Sequence, residues 1–288
     1  MKKHTVFVDG QEGTTGLRIH EYLAARSDIA LLTIDADKRK DAAERARLLN
    51  AADVAFLCLP DAAAREAVAL VTNPHTCVID ASTAHRVAPG WTFGIPELAP
   101  GQREALRKAK RIANPGCHST AFIALLRPLV DAGIVPRSLP VTATSITGYS
   151  GGGKKMIEEY QAAKRAPQLD APRPYGLKLA HKHVPEMMAY TGLTTKPVFM
   201  PIVGPFLKGL AVSVPLHFSQ LKKTGTDSAA IVRAFERHYE GERFIRVMPP
   251  GDPSLAEPNF FDVQCSNDSN RIDIFVFADA QQCILIAR

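Results

Sequence analysis

At 288 residues, with 46% hydrophobic and 22% charged side chains, the chain is long enough for two domains of ordinary size and has the composition of a globular protein. Its net charge of +6 would draw anionic ligands into a cleft, but the basic residues are scattered without aromatic interleaving, which excludes a typical nucleic-acid binder. No run approaches the length of a membrane span, and the short apolar stretch after Met1-Lys2-Lys3-His4 lacks the features of a signal peptide.

Thr5-Val6-Phe7-Val8-Asp9 reads as a strand, Gly10-Gln11-Glu12-Gly13-Thr14-Thr15-Gly16 as a glycine loop, and the following Leu17–Leu23 run as a helix. Strand, glycine loop and helix are the context of a dinucleotide fingerprint, here spaced GxxGxxG. The glycines permit a tight turn and close approach of a pyrophosphate to the helix N-terminus. A second strand, Ile29–Ile34, ends in Asp35-Ala36-Asp37-Lys38-Arg39-Lys40, where an adenine ribose would be read. An acidic residue there suits NAD and a basic cluster suits NADP; both occur, and the lysines and arginine tilt the reading to NADP.

Asp53–Leu59 is a near-continuous apolar strand stopped by Pro60, with a helix over 62–71. Cys77–Asp80 is a strand leading into Ala81-Ser82-Thr83-Ala84-His85-Arg86, and 102–110 is a polar helix before the short strand Arg111-Ile112-Ala113. This alternation predicts a doubly wound parallel α/β domain over 1–116, with Ser82 and Arg86 at the strand ends where ligands bind.

Asn114-Pro115-Gly116-Cys117 then opens a helix with Phe122, Leu125, Leu126, Leu129 and Val130 on one stripe. Cys117 falls in the first turn, where helix N–H groups and the macrodipole favour a thiolate, as a nucleophile requires. The five cysteines (58, 77, 117, 265 and 283) contain no CxxC pair, which predicts reduced thiols in the cytoplasm; all but Cys117 lie in strand-like apolar runs and are expected in the core.

Beyond this helix, Val141–Thr147 is β-rich and leads to Ser150-Gly151-Gly152-Gly153, which is not a P-loop but has the composition of an anion cradle. Residues 166–176 are Pro-rich and read as irregular. In an extended His181-Lys182-His183-Val184-Pro185-Glu186 the two histidines share a side, suiting a general base better than a metal site, for which no third ligand stands at a convincing spacing. Strands over 198–203, 209–218 and 260–264, apolar runs at 271–277 and 282–286, and a helix over 228–239 predict an α+β second domain with a mainly antiparallel sheet.

Together these motifs resemble the shorter type of the N-acetyl-γ-glutamyl-phosphate reductase family, whose wider kin are the aspartate-semialdehyde and glyceraldehyde-3-phosphate dehydrogenases. The resemblance implies a Rossmann-type domain followed by a glyceraldehyde-3-phosphate-dehydrogenase-like catalytic domain over 117–279, with about 280–288 returning to the first. It implies a thioester on Cys117, NADPH as the hydride donor, His181 as acid–base group and His183 and Glu186 in support. Cofactor contacts are implied at Gly10, Glu12, Gly13, Thr14, Thr15, Gly16, Asp35, Lys38, Pro60, Ser82, Gly151 and Gly152, and substrate contacts at Arg86, Asn114, Ser150 and Lys208. It further implies no resident metal and a homodimer or homotetramer. Family members continue past this C-terminus with an Asp-Asn-Leu-x-Lys-Gly segment and a final helix, whereas the given chain stops at Ile286-Ala287-Arg288. Rival readings are a reductase of another acyl phosphate, aspartyl or carrier-linked aminoadipyl, and a non-catalytic NADP-binding regulator.

Overall fold

Short β-rich runs alternating with helical ones produce the first layer of the protein. The computed structural model describes residues 3–10, 14–222, 226–249 and 260–288. The chain divides into two units, Met1–Pro96 with Gly101–Pro115, and Glu97–Pro100 with Gly116–Arg288.

The first unit runs β1 (His4–Asp9), α1 (Thr14–Ala24), β2 (Ile29–Leu32), α2 (Ala42–Ala51), β3 (Val54–Leu57), α3 (Asp61–Leu70), β4 (Cys77–Asp80), β5 (Thr92–Phe93), α4 (Gln102–Lys108) and β6 (Arg111–Ala113). Its sheet is parallel throughout, ordered β2-β1-β3-β4-β6-β5. Helix α2, which periodicity did not single out, is started by Asp41, whose Oδ1 accepts from the N–H groups of Ala43 (2.8 Å) and Glu44 (3.0 Å). Its Leu48 and Leu49 pack with Phe7, Leu57, Ala67 and Val78 into the core.

The neighbours of β1 are β2 on one side and β3 on the other, so the strand order reverses there. Crevices at such points are where doubly wound sheets bind dinucleotides. Gly10 follows β1 at that edge with φ +88°, and a Cβ on it would lie 2.4 Å from the Cys58 carbonyl oxygen. The position accepts no side chain.

The second unit contains α5 (Cys117–Asp131), β7 (Thr142–Gly148), α6 (Gly153–Gln161), β8 (Arg173–Pro174), α7 (Val184–Thr191), β9 (Val198–Gly204), β10 (Leu210–His217), α8 (Ser228–His238), β11 (Ile245–Val247), β12 (Ile272–Ala278) and β13 (Gln282–Ala287). The sheet order is β11-β12-β13-β10-β7-β9-β8, with β11–β12 and β7–β9 parallel and the other pairs antiparallel. Helix α5 is buried almost all round: Phe122, Leu125, Leu126 and Leu129 share a core with Met187 of α7 and Ile231 and Phe235 of α8. Pro128 inside α5 lacks the N–H that would reach Ala124, and the Tyr239 hydroxyl donates to that carbonyl instead, at 2.8 Å.

Three expectations are corrected. The segment 280–288 does not return to the first unit: β13 is an interior strand of the second sheet, hydrogen-bonded to β10 and β12 on its two sides. Residues 260–264 are not a strand, because Asp262 accepts from the Gln264 N–H (2.7 Å) and Asn267 N–H bonds the Gln264 carbonyl (2.9 Å), folding the chain into turns. Cys265, carried in those turns, is exposed; Cys58 and Cys77 are half-buried, and Cys283 is buried.

Candidate active site

Gly116 breaks the preceding chain in an extended conformation and Cys117 begins α5, its thiol exposed. The first N–H groups of a helix have no intrahelical carbonyl, so a sulfur here lies at the positive end of the helix. The turn is held from below by Glu186, only 1% exposed, whose Oε2 accepts from the Gly116 N–H (2.9 Å) and the Ser119 hydroxyl (2.7 Å). The position expected to support a histidine thus grips the cysteine turn itself.

The two-histidine segment is not extended. It turns at His183, which caps α7, with Pro185 in the first turn; the Val184 N–H bonds the His181 carbonyl (3.0 Å) and the His183 N–H approaches His181 Nδ1 (3.2 Å). The rings of His181 and His183 meet edge-on with centroids 4.7 Å apart. Donor atoms of Cys117, His118 and His183 all lie within 4.8 Å of one another. His181 is not in that group; it packs its ring against Phe199, centroids 5.2 Å apart, and lines a small cavity with Lys196 and Pro197. Of the two histidines in this motif, His183 is the one grouped with the Cys117 sulfur and His118.

His118 and Tyr175 escaped the reading of the sequence. His118 directly follows Cys117, is buried, and is hydrogen-bonded at Nδ1 to Ser145 Oγ (2.8 Å) and at Nε2 to the Tyr175 hydroxyl (2.9 Å). Burial, and next the neighbouring His181, hold its imidazole down at about 3, so it is neutral at physiological pH. Burial, then the Cys117 sulfur, push the Tyr175 phenol up to about 12, keeping its proton. His181 is lowered too, by burial and then by Lys182. A histidine after a cysteine at a helix start was the available signal, but its burial is a tertiary fact.

The remaining positions separate by unit. Gly10 and Pro60 follow β1 and β3 at the carboxyl edge of the first sheet, while Glu12 and Gly13 lie outside the described residues; α1 begins at Thr14, followed by Thr15 and Gly16. Asp35 and Lys38 stand beyond β2, exposed, 3.9 Å apart. The Ser82 hydroxyl donates to the wholly buried Asp80 (2.7 Å), which also binds His85 Nδ1 (2.6 Å). Arg86 is buried and donates to the Ala81 carbonyl at 3.1 Å. The Asn114 N–H bonds the Asp80 carbonyl at 2.8 Å, so that residue is part of the first unit.

In the second unit, Ser150, Gly151 and Gly152 form a single 3₁₀ turn tied by the Ser150 N–H to the Leu207 carbonyl (3.0 Å). A Cβ on the preceding Gly148 would lie 2.6 Å from that same carbonyl oxygen. Lys208 pairs with Asp268 at 2.6 Å.

A Rossmann-type parallel sheet followed by a mixed-sheet unit is a two-unit arrangement that matches the semialdehyde dehydrogenases. Family models agree: the semialdehyde dehydrogenase NAD-binding domain matches residues 5–109 and the dimerisation domain matches 117–288. A relative from Nostoc sp., named N-acetyl-gamma-glutamyl-phosphate reductase 2, is 45% identical over 295 residues, covering 100% of this chain and 91% of that protein. One of the same name from Pseudomonas putida is 45% identical over 284 residues, covering 98% and 88%. The chain belongs to the N-acetyl-gamma-glutamyl-phosphate reductase family. Among solved structures, aspartate semialdehyde dehydrogenase from Francisella tularensis superposes with TM-score 0.71 at 11% identity, over 98% of this chain and 94% of that one. Aspartate semialdehyde dehydrogenase II from Vibrio cholerae gives 0.70 at 16%, over 99% and 93%. At these identities the structures share the fold.

Proposed function

We propose that this protein reduces N-acetyl-L-glutamyl 5-phosphate to N-acetyl-L-glutamate 5-semialdehyde and phosphate, using NADPH, in arginine biosynthesis. The observation that carries the reading is the exposed Cys117 at the α5 N-terminus with the His183 imidazole close by, in a chain 45% identical to reductases of that name.

In this reading Cys117 Sγ attacks the acyl carbon, the S–C bond forms, and phosphate leaves with the electrons of the C–O bond. His183 takes the thiol proton and hands it to the departing phosphate. The helix N-terminus favours the thiolate and the oxyanion that forms beside it. When bound, the nicotinamide supplies the hydride that the thioester carbon takes. The oxyanion left at that carbon re-forms the C=O bond as the S–C bond breaks, releasing the aldehyde and the Cys117 thiolate, which takes a proton back from solvent through His183. His118, neutral, and Tyr175, protonated, hold each other and form a fixed polar wall beside the sulfur. Glu186 is a positioning residue for the cysteine turn.

The dinucleotide would sit at the β1/β3 crevice on the Gly10 turn, with Pro60 alongside and Lys38 facing the 2′-phosphate of NADP. The dimerisation-domain match over 117–288 supports assembly through the second unit, as a homodimer or homotetramer; a cytoplasmic location is read from the five cysteines without a CxxC pair. Among the described residues no helix is long and apolar enough to cross a membrane.

The test runs the reaction backwards, with phosphate, NADP⁺ or NAD⁺, and either N-acetylglutamate semialdehyde or aspartate semialdehyde. Turnover of the acetylated substrate, faster with NADP⁺ and abolished in Cys117→Ser, is expected. Turnover of aspartate semialdehyde alone would replace this substrate, and a Cys117→Ser variant of near-normal activity would end the covalent mechanism.

A further inference from the structure

Beside Cys117 the second unit holds a cavity of about 260 Å³, lined on one side by Cys117 and Thr120 of α5 and on the other by Ser266, Asn267, Arg271 and Arg288. Its volume lies just under the range of about 300–1,000 Å³ of drug-sized ligand sites, a scale for a small amino-acid derivative. Two guanidinium groups line it, and their situations differ.

Arg288 is spent on the protein. It is buried, its Nη2 lies 3.3 Å from Asp273 Oδ2, and its Nε donates to Ser266 Oγ (3.0 Å). Its Nη1 donates to the Asp262 carbonyl (3.0 Å), and the aromatic rings of Phe261 and Phe275 lie 5.3 and 5.0 Å from its guanidinium carbon. The other Asp273 oxygen is taken by Arg246 at 2.7 Å. Asp268, the acid in the turn beside Arg271, pairs with Lys208. Arg271 is exposed, its backbone N–H rests on Ser269 Oγ (3.4 Å), and among the described residues no carboxylate pairs with its side chain. The nearby acids are thus committed to other cations, and a planar bidentate donor stands in the cavity of the nucleophile.

We propose that Arg271 anchors the α-carboxylate of the N-acylamino-acid substrate while its side-chain acyl group is presented to Cys117. This rests on the reading above for the identity of the substrate; the presence of an anion anchor beside the thiol does not. A carboxylate and the oxygens of inorganic phosphate share the recognising chemistry, and the experiment separates them.

Two measurements are made on Arg271→Met, with Arg271→Lys as the conservative variant and near-ultraviolet circular dichroism as the check on folding. The first needs no substrate. Cys117 is alkylated with anionic iodoacetate and with neutral iodoacetamide, and Arg271→Met is expected to lower the iodoacetate rate at least about tenfold relative to iodoacetamide, with Lys restoring part of it. An unchanged ratio in a folded variant overturns the anchor.

The second follows the reverse reaction. The KM for N-acetylglutamate semialdehyde should rise about 100-fold in Arg271→Met, as befits loss of a charged bidentate contact, while the KM for phosphate stays within twofold. 4-Acetamidobutanal, which lacks the α-carboxylate, should be a poor substrate for wild type and no worse for the variant. A rise in the phosphate KM with the semialdehyde KM unmoved assigns Arg271 to phosphate and overturns the carboxylate assignment. A changed alkylation ratio in a protein that turns over neither acetylated compound supports the anchor and refutes the substrate reading.

Discussion

Replacing Glu186 separates the chemistry of the site from its scaffold. The carboxylate is buried at the N-terminal turn of α7 and its Oε2 receives two donors from the α5 turn, 70 and 67 residues earlier in the chain. Hydrogen bonds to a charged acceptor contribute about 1.5–3 kcal/mol each, and a donor stranded in the interior costs a comparable amount, so Glu186→Ala should lose about 3–6 kcal/mol. Glu186→Gln keeps the shape and one acceptor oxygen in place and should lose only about 1–2 kcal/mol. For a unit of this size each kcal/mol corresponds to roughly 2–4 °C, so the alanine variant should melt roughly 6–24 °C lower and the glutamine variant only a few degrees lower. Differential scanning calorimetry, resolving the transition of the second unit, measures both. Because the same contacts set the position of Cys117, kcat of Glu186→Gln should fall by about tenfold or more even where the variant is fully folded. A Glu186→Ala protein melting within 2 °C of wild type would refute the claim that this carboxylate holds the turn.

Two further outcomes follow from the same geometry. Mass-spectrometric mapping of iodoacetamide labelling near neutral pH should find Cys117 modified first, with exposed Cys265 as the relevant competitor; Cys58 and Cys283, whose thiols burial pushes up to about 11, and Cys77, raised in the same way, should lag well behind, and faster labelling of Cys265 than of Cys117 would count against thiolate character at the helix start. His118 makes stability pH-dependent in a definite direction: its folded-state value of about 3 lies below the ordinary 6.5, so only the unfolded chain takes up a proton between these limits, and stability falls as pH drops below about 6.5, at up to about 1.4 kcal/mol per pH unit. Urea unfolding from pH 7 to 5 should show this slope in wild type and a shallower one in His118→Asn; equal slopes would contradict it.

Local patterns suffice for those parts of the protein whose cause is local. A glycine after a strand is demanded by its own positive φ and the carbonyl of the next strand, so Gly10 could be named from Thr5–Gly10 alone. Continuous apolar runs predict a parallel sheet, and a Pro-Gly break before helical spacing located the start of α5 to the residue, because turn chemistry and hydrophobic period act within a few positions. What only the tertiary structure decided depends on contacts between distant segments. Glu186 reads as the companion of two nearby histidines but closes on Gly116 and Ser119; His183 is grouped with the thiol and His118 where the chain turns into α7; and His118 is neutral because burial, and next the neighbouring His181, disfavour its charge. The destination of 282–287 was likewise undetermined, since an alternating apolar strand fits either sheet and only pairing with β10 and β12 chooses one. Arg271 shows the limit most directly: its availability is a matter of which carboxylates the fold gives to Arg246, Arg288 and Lys208, and spacing along the chain carries no record of that allocation.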